Sequence, residues 1–130
     1  WYPDKTTLNV DFHYYGASRL KRGIIWRGLT IDSIYDIAVN KMQTITTQPR
    51  GRDYVDLYEI LKKTHWAIPV LVTSVEKKFG FKTDSIHLAK NFLKVREYSD
   101  LPKMLIPFDS KAMVKLYEDL ARQLKPKILK

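Results

Sequence analysis

The sequence predicts an α+β fold in which two N-terminal antiparallel strands are followed by a bundle of about five helices. Three observations predict it. Residues 6–15, TTLNVDFHYY, alternate, with Leu8, Val10 and Phe12 on one face and Asn9, Asp11 and His13 on the other. From residue 34 onward apolar residues recur at three- and four-residue spacing, the helical period. Proline, glycine and capping residues cut that second region into pieces of ordinary helix length.

The first strand is predicted over Thr6–Tyr15 and is ended by Gly16. ASRLKR is a basic connection, and Gly23–Leu29 reads as a second strand. Thr30 or Asp32 is the expected cap of the first helix, which runs to about Thr46 with Ile34, Ile37, Ala38, Met42 and Ile45 in one stripe. Asp36 lies early in it, where the helix dipole favours an acid. Pro49 and Gly51 form a turn, and a second helix follows from about Arg52 to Thr64. Pro69 suits the first turn of a third helix, which Gly80 closes. Thr83-Asp84-Ser85 caps a fourth helix carrying Ile86, Ala89, Phe92 and Leu93. LPKMLIP is an extended linker. Asp109-Ser110 caps a last helix with Met113, Leu116, Leu120 and Leu124 inward, and Pro126 is expected to end it.

A length of 130 residues suits one domain, 1–130, and 45% hydrophobic residues exclude a disordered chain. The first residue is Trp1 rather than Met, so a preceding segment is expected. There is no cysteine, hence no disulfide framework and no thiolate metal site. No second histidine stands at ligand spacing from His13. No apolar run is long enough to cross a bilayer and no signal peptide is visible, so a cytoplasmic protein without a membrane partner is expected. The net charge of +9 favours an anionic partner, with nucleic acid foremost. Arg19, Lys21, Arg22 and Arg27 are candidate phosphate contacts, whereas Lys125, Lys127 and Lys130 fit a solvated tail.

Lys41 interrupts the apolar stripe of the first helix. On the second helix Asp53 and Asp56 share a face with Leu57 and Ile60, three, four and seven positions apart. A lysine and two aspartates therefore point toward the seam of a helix pair, where charge is costly unless paired or placed in a polar cleft. Spacing leaves two readings open: a structural ion pair, or a lysine at the open edge waiting for an anion. Asp56 is also within i,i+4 reach of Arg52. Tyr54 is either a core aromatic or a surface for stacking a base. Asp11, between Val10 and Phe12, is either a solvent-facing strand aspartate or a site carboxylate.

The order Asp36-Ile37, Lys41-Met42, Ile45 and then Arg52-Asp53-Tyr54-Val55-Asp56-Leu57-Tyr58 resembles the AbiEii-type nucleotidyltransferase toxins, members of the polymerase-β-like superfamily. The tail FLKVREYSDLPKMLIPFDSKAMVKLYEDL is similar to that family's closing helix, linker and last helix, so the resemblance spans Leu8 to about Leu124. The sequence departs from the pattern at Thr44, where Ala is usual, and at Gln48, where Arg is frequent, though Arg50 can reach the same space. The Gly-Ser turn followed by Asp-x-Asp, the family's nucleotide and metal anchor, is absent.

The resemblance implies that the chain is the C-terminal half of a larger nucleotidyltransferase, with residues 1–29 a remnant of the catalytic sheet and 30–130 the helical part. It implies transfer of a nucleotide from an NTP to an RNA acceptor, tRNA foremost, by the full-length protein, this chain being inactive alone. Asp11 would be the third carboxylate and a candidate Mg2+ ligand, Lys41 would face the triphosphate, and Asp53 would hold Lys41. Arg50, Arg52 and Tyr54 would contact substrate, and Asp56 would be a structural ion-pair partner. Mg2+ and NTP are expected for the full-length protein and none for this chain alone; a protein antitoxin is the family's usual partner. The alternative is a non-catalytic basic helical module that binds RNA or a partner protein.

Overall fold

The computed structural model describes residues 10–99 and 101–128. Two antiparallel strands, β1 (Ile24–Trp26) and β2 (Leu29–Ile31), precede five helices: α1 (Ile34–Thr47), α2 (Gly51–Thr64), α3 (Ile68–Phe79), α4 (Ser85–Leu93) and α5 (Ser110–Ile128). A 3-10 turn, Lys94–Glu97, extends α4. This is the predicted architecture of two strands and five helices.

The strands occupy other positions than the alternation suggested. Residues 10–15 form no strand, and the beginning of the predicted first strand, residues 6–9, lies outside the described residues. The segment expected to be one strand instead folds back on itself as a hairpin, pairing Ile24 with Ile31 and Trp26 with Leu29. Arg27 (φ 49°) and Gly28 (φ 79°) form its two-residue turn. Positive φ at both positions is what a type I′ hairpin needs, because that turn follows the right-handed twist of the strands. Gly23 is required for a different reason. A Cβ there would stand 2.0 Å from the Ile31 carbonyl oxygen.

Helix α1 starts one residue beyond the expected caps. Ser33 is its N-cap, with Oγ accepting the Asp36 N–H at 3.0 Å. Asp32 instead pairs with Arg19 at 2.5 Å. The other caps follow the expected chemistry. Asp84 accepts from His87 N–H at α4, Gly80 (φ 75°) closes α3, and Asp109 accepts from Lys111 and Ala112 N–H before α5. Pro126 does not end α5, which continues to Ile128. A proline this near a terminus removes one ladder hydrogen bond without ending the coil.

The core lies where α1 meets α2 and α3 and where α4 meets α5. Ala38, Met42, Ile45, Leu57, Leu71, Val75, Leu88, Phe92 and Met113 are buried in it. A relay of hydrogen bonds crosses this core. Tyr117 Oη donates to the Tyr54 carbonyl (2.7 Å), Tyr54 Oη to the Asn91 carbonyl (2.5 Å), and Asn91 Nδ2 to the carbonyls of Ile45 (2.9 Å) and Thr46 (3.1 Å). The last two are carbonyls of the final turn of α1, which have no partner within the helix. Helices α5, α2, α4 and α1 are thereby tied in sequence.

Candidate functional site

The α1–α2 seam carries a four-residue charge cluster. Lys41 Nζ lies 3.0 Å from Asp53 Oδ1 and 2.6 Å from Asp56 Oδ2. Arg50 Nε donates to Asp53 Oδ2 at 3.0 Å, and its backbone N–H to the same oxygen at 3.2 Å. Asp53 is fully buried, whereas Lys41, Asp56 and Arg50 are 23%, 45% and 55% exposed in their side chains. Arg50 is the N-cap residue of α2, and Asp53 at the third helical position reaches back to it, so the turn and the cluster are one construction. Burial would raise the Asp53 pKa, but hydrogen bonds from Arg50 and Lys41 outweigh it and hold the carboxyl below the ordinary range.

The expectations for individual residues divide. Lys41, Asp53 and Arg50 are brought together. Asp56 pairs with Lys41 and not with Arg52, a correction to the i,i+4 pair expected from spacing. Lys41 sits between both aspartates because it is presented from α1, across the seam from the face they share. Arg52 is exposed beside Arg50, and the two line a 310 Å³ cavity with Gly51 and Pro102. Tyr54 occupies the core reading: it is fully buried, packed edge-on against Tyr117 at 5.0 Å, and has no surface for a base. Burial pushes its phenol well above the usual tyrosine pKa.

Asp11 lies in an exposed, irregular stretch and forms no ion pair with the Lys41 cluster. No group of three or more His, Cys, Asp or Glu among the described residues could hold a metal. Asp53 and Asp56 share a lysine, and a divalent cation would have to displace that ammonium. The described residues therefore do not fit Mg2+ by themselves.

A second charged site was not foreseen. Lys78 of α3 donates to Asp36 Oδ1 at 2.8 Å, with side-chain exposures of 1% and 0%. Asp36 also accepts the backbone N–H groups of Leu20 (2.8 Å) and Lys21 (3.0 Å) and the Ser33 hydroxyl (2.8 Å). Burial opposes its charge, yet Lys78 and these donors prevail and hold the carboxyl far below its ordinary pKa. The four donors come from the N-terminal segment, the start of α1 and the end of α3. Beside it, Tyr15, Arg19, Asp32 and Asn40 line a 250 Å³ cavity that Lys78 also borders. Lys78 was legible in principle: with Leu71 and Val75 it makes an i, i+4, i+7 stripe, the same test that singles out Lys41.

Among the described residues no helix is long and apolar enough to cross a membrane. Compared with known proteins, the chain matches no family model, no curated protein and no solved structure.

Proposed function

We infer that this chain is the helical portion of a nucleotidyltransferase of the AbiEii type, which passes a nucleotide from an NTP to an RNA acceptor, tRNA foremost. One observation carries the reading. A fully buried carboxylate, Asp53, orients two cations, Lys41 and Arg50, that remain partly open to solvent at the start of α2. Preorganised cations at a helix N-terminus suit a triphosphate, whose charge they offset without rearranging. Arg52 and the cavity it shares with Arg50 extend the same corner. In this reading Lys41 and Arg50 face the phosphates, Asp53 positions them, and Asp56 is the exposed carboxylate that a phosphate displaces.

The hairpin gives separate support. Ile24, Trp26, Leu29 and Ile31 share one face and are 46–68% exposed. A ribbon of two short strands is marginal alone, and an apolar face of this kind suits a strand pair that continues a larger sheet. Asp11 would reach the site only within that larger assembly. The NTP, Mg2+ and cytoplasmic setting belong to the same proposal, as does a protein antitoxin.

The test is binding of inorganic tripolyphosphate to this chain by calorimetry at low salt. Arg50→Ala and Lys41→Met should each weaken it severalfold, and Lys41→Met should abolish transfer of labelled nucleotide to tRNA in the full-length protein. Unchanged tripolyphosphate binding in both variants would falsify the site. The second reading, a basic module that performs no chemistry, is favoured by the complete neutralisation of Lys41 by two aspartates. It predicts tRNA binding that falls steeply with salt, with no loss on Lys41→Met.

A further inference from the structure

A trough runs between α4 and α5, with a volume of 560 Å³. Its floor is apolar. Ile86 and Leu93, two helical turns apart on α4, are 59% and 43% exposed at its ends, and the buried Ala89 and Ala121 lie between them. Its walls carry four cations against two acids. Lys90 and Lys94 are in no ion pair among the described residues, Arg96 and Glu97 follow in the 3-10 turn, and Arg96 shares Glu118 of α5 with Arg122.

We propose that this trough is a docking site for an acidic amphipathic helix of a partner protein. The shape and chemistry of the surface decide the class of occupant. Both walls are helices whose backbone groups are already used, so an extended strand would find no edge to pair with and recognition must come from side chains. Two alanines at the bottom let another helix approach closely, as ridges enter a groove. Ile86 and Leu93 span about 10 Å of α4, the length of two turns of a guest helix. A guest with apolar residues at i, i+3 or i+4, and i+7 would cover the floor. Glutamates or aspartates flanking that stripe would meet Lys90 and Lys94, which form no ion pair among the described residues, and would lie on the side away from Glu97. Nucleic acid fits less well, because its phosphates would reach the lysines only by leaving the apolar floor uncovered or by burying charge upon it. This site shares no residue with the Lys41 cluster.

The experiment uses the whole chain and two fluorescein-labelled 16-residue peptides. Both carry leucines at helical spacing. One has glutamates on its flanks, and the other has lysines at the same positions. Fluorescence anisotropy should show the acidic peptide binding at least tenfold more tightly than the basic one. Lys90→Glu/Lys94→Glu, a variant confined to the rim and checked for folding by circular dichroism, should weaken the acidic peptide by tenfold or more. Amide shifts in a 15N-labelled chain should centre on Ile86, Lys90, Leu93 and Ala121. Absent binding, equal binding of the two peptides, an unaffected double variant, or shifts centred elsewhere would each overturn the proposal. So would an oligoribonucleotide that moves the same amides at lower concentration than the acidic peptide.

Discussion

Replacing Lys78 by Met tests whether the buried ion pair or the seam cluster carries more of the stability. The two lysines are alike in sequence, each a cation inside an apolar stripe. Their surroundings differ. Lys78 and Asp36 are 1% and 0% exposed, so water cannot replace the lost ammonium. Breaking a buried pair by removing one partner costs about 3–5 kcal/mol. Asp36 keeps three other donors, Leu20 N–H, Lys21 N–H and the Ser33 hydroxyl, which places Lys78→Met at the lower end, about 3 kcal/mol. For a domain of this size that is a fall in melting temperature of roughly 10 °C. Lys41→Met should cost much less, about 1 kcal/mol. Asp53 retains Arg50, and Asp56, at 45% exposed, turns to water. Urea unfolding of both variants gives the comparison. Adding Asp36→Asn to Lys78→Met should recover only part of the loss: the amide carries no charge, but its single oxygen stands in for two, so either the Leu20 or the Lys21 N–H loses its partner. A Lys78→Met cost below about 1 kcal/mol, or a Lys41→Met cost equal to it, would refute the distinction drawn from burial.

Further outcomes follow from the same geometry. Asp36 and Asp53 hold their protons less tightly when folded than when unfolded. The stability they supply is complete above the ordinary carboxylate pKa of about 4 and is lost as pH falls through their lower folded values. Urea midpoints should therefore drop below about pH 4, and Asp36→Asn should shallow that slope. Tyr54 and Tyr117 have raised pKa values from burial, so their contribution is complete below about pH 10 and declines as pH rises beyond it. Far-UV circular dichroism should show unfolding there. Gly23→Ala should destroy the hairpin, raising amide exchange across Ile24–Ile31, while the global unfolding free energy changes by less than about 0.5 kcal/mol. Asn91→Ala should destabilise by about 2 kcal/mol in chemical denaturation, since the Ile45 and Thr46 carbonyls lose their buried donor.

The helices were legible because their punctuation is local. Asp84, Gly80 and Asp109 act within a few residues of themselves, and their chemistry is the same in any fold. The hairpin was not, because its turn is Arg27-Gly28. A glycine at the second position is the usual signal, but an arginine at positive φ in the first is uncommon, and the flanking apolar residues read equally well as one strand. The alternation over residues 6–15 gave a strand pattern without a strand at 10–15, since alternation describes a face and not the neighbour needed to pair with it. The Lys41 seam was visible from spacing on two helices. Its fourth member, Arg50, lies outside both stripes and enters through the cap of α2. Lys78 was hidden in EKKF, which looks like an exposed charged run until its register with Leu71 and Val75 is counted.

The position of Asp36 also constrains the order in which this polypeptide can assemble. Its carboxylate joins two backbone amides, 15 and 16 residues upstream, to an ammonium 42 residues downstream. Before α3 has docked, a charged Asp36 in the forming core has no cation. The upstream segment then has only amide dipoles to hold it. Closing the longer loop thus favours fixing the shorter one, and the segment holding Leu20 and Lys21 should settle after α3 has docked. During synthesis the hairpin leaves the ribosome before α3 and must wait for it. In that interval its apolar face is available to whatever it meets first.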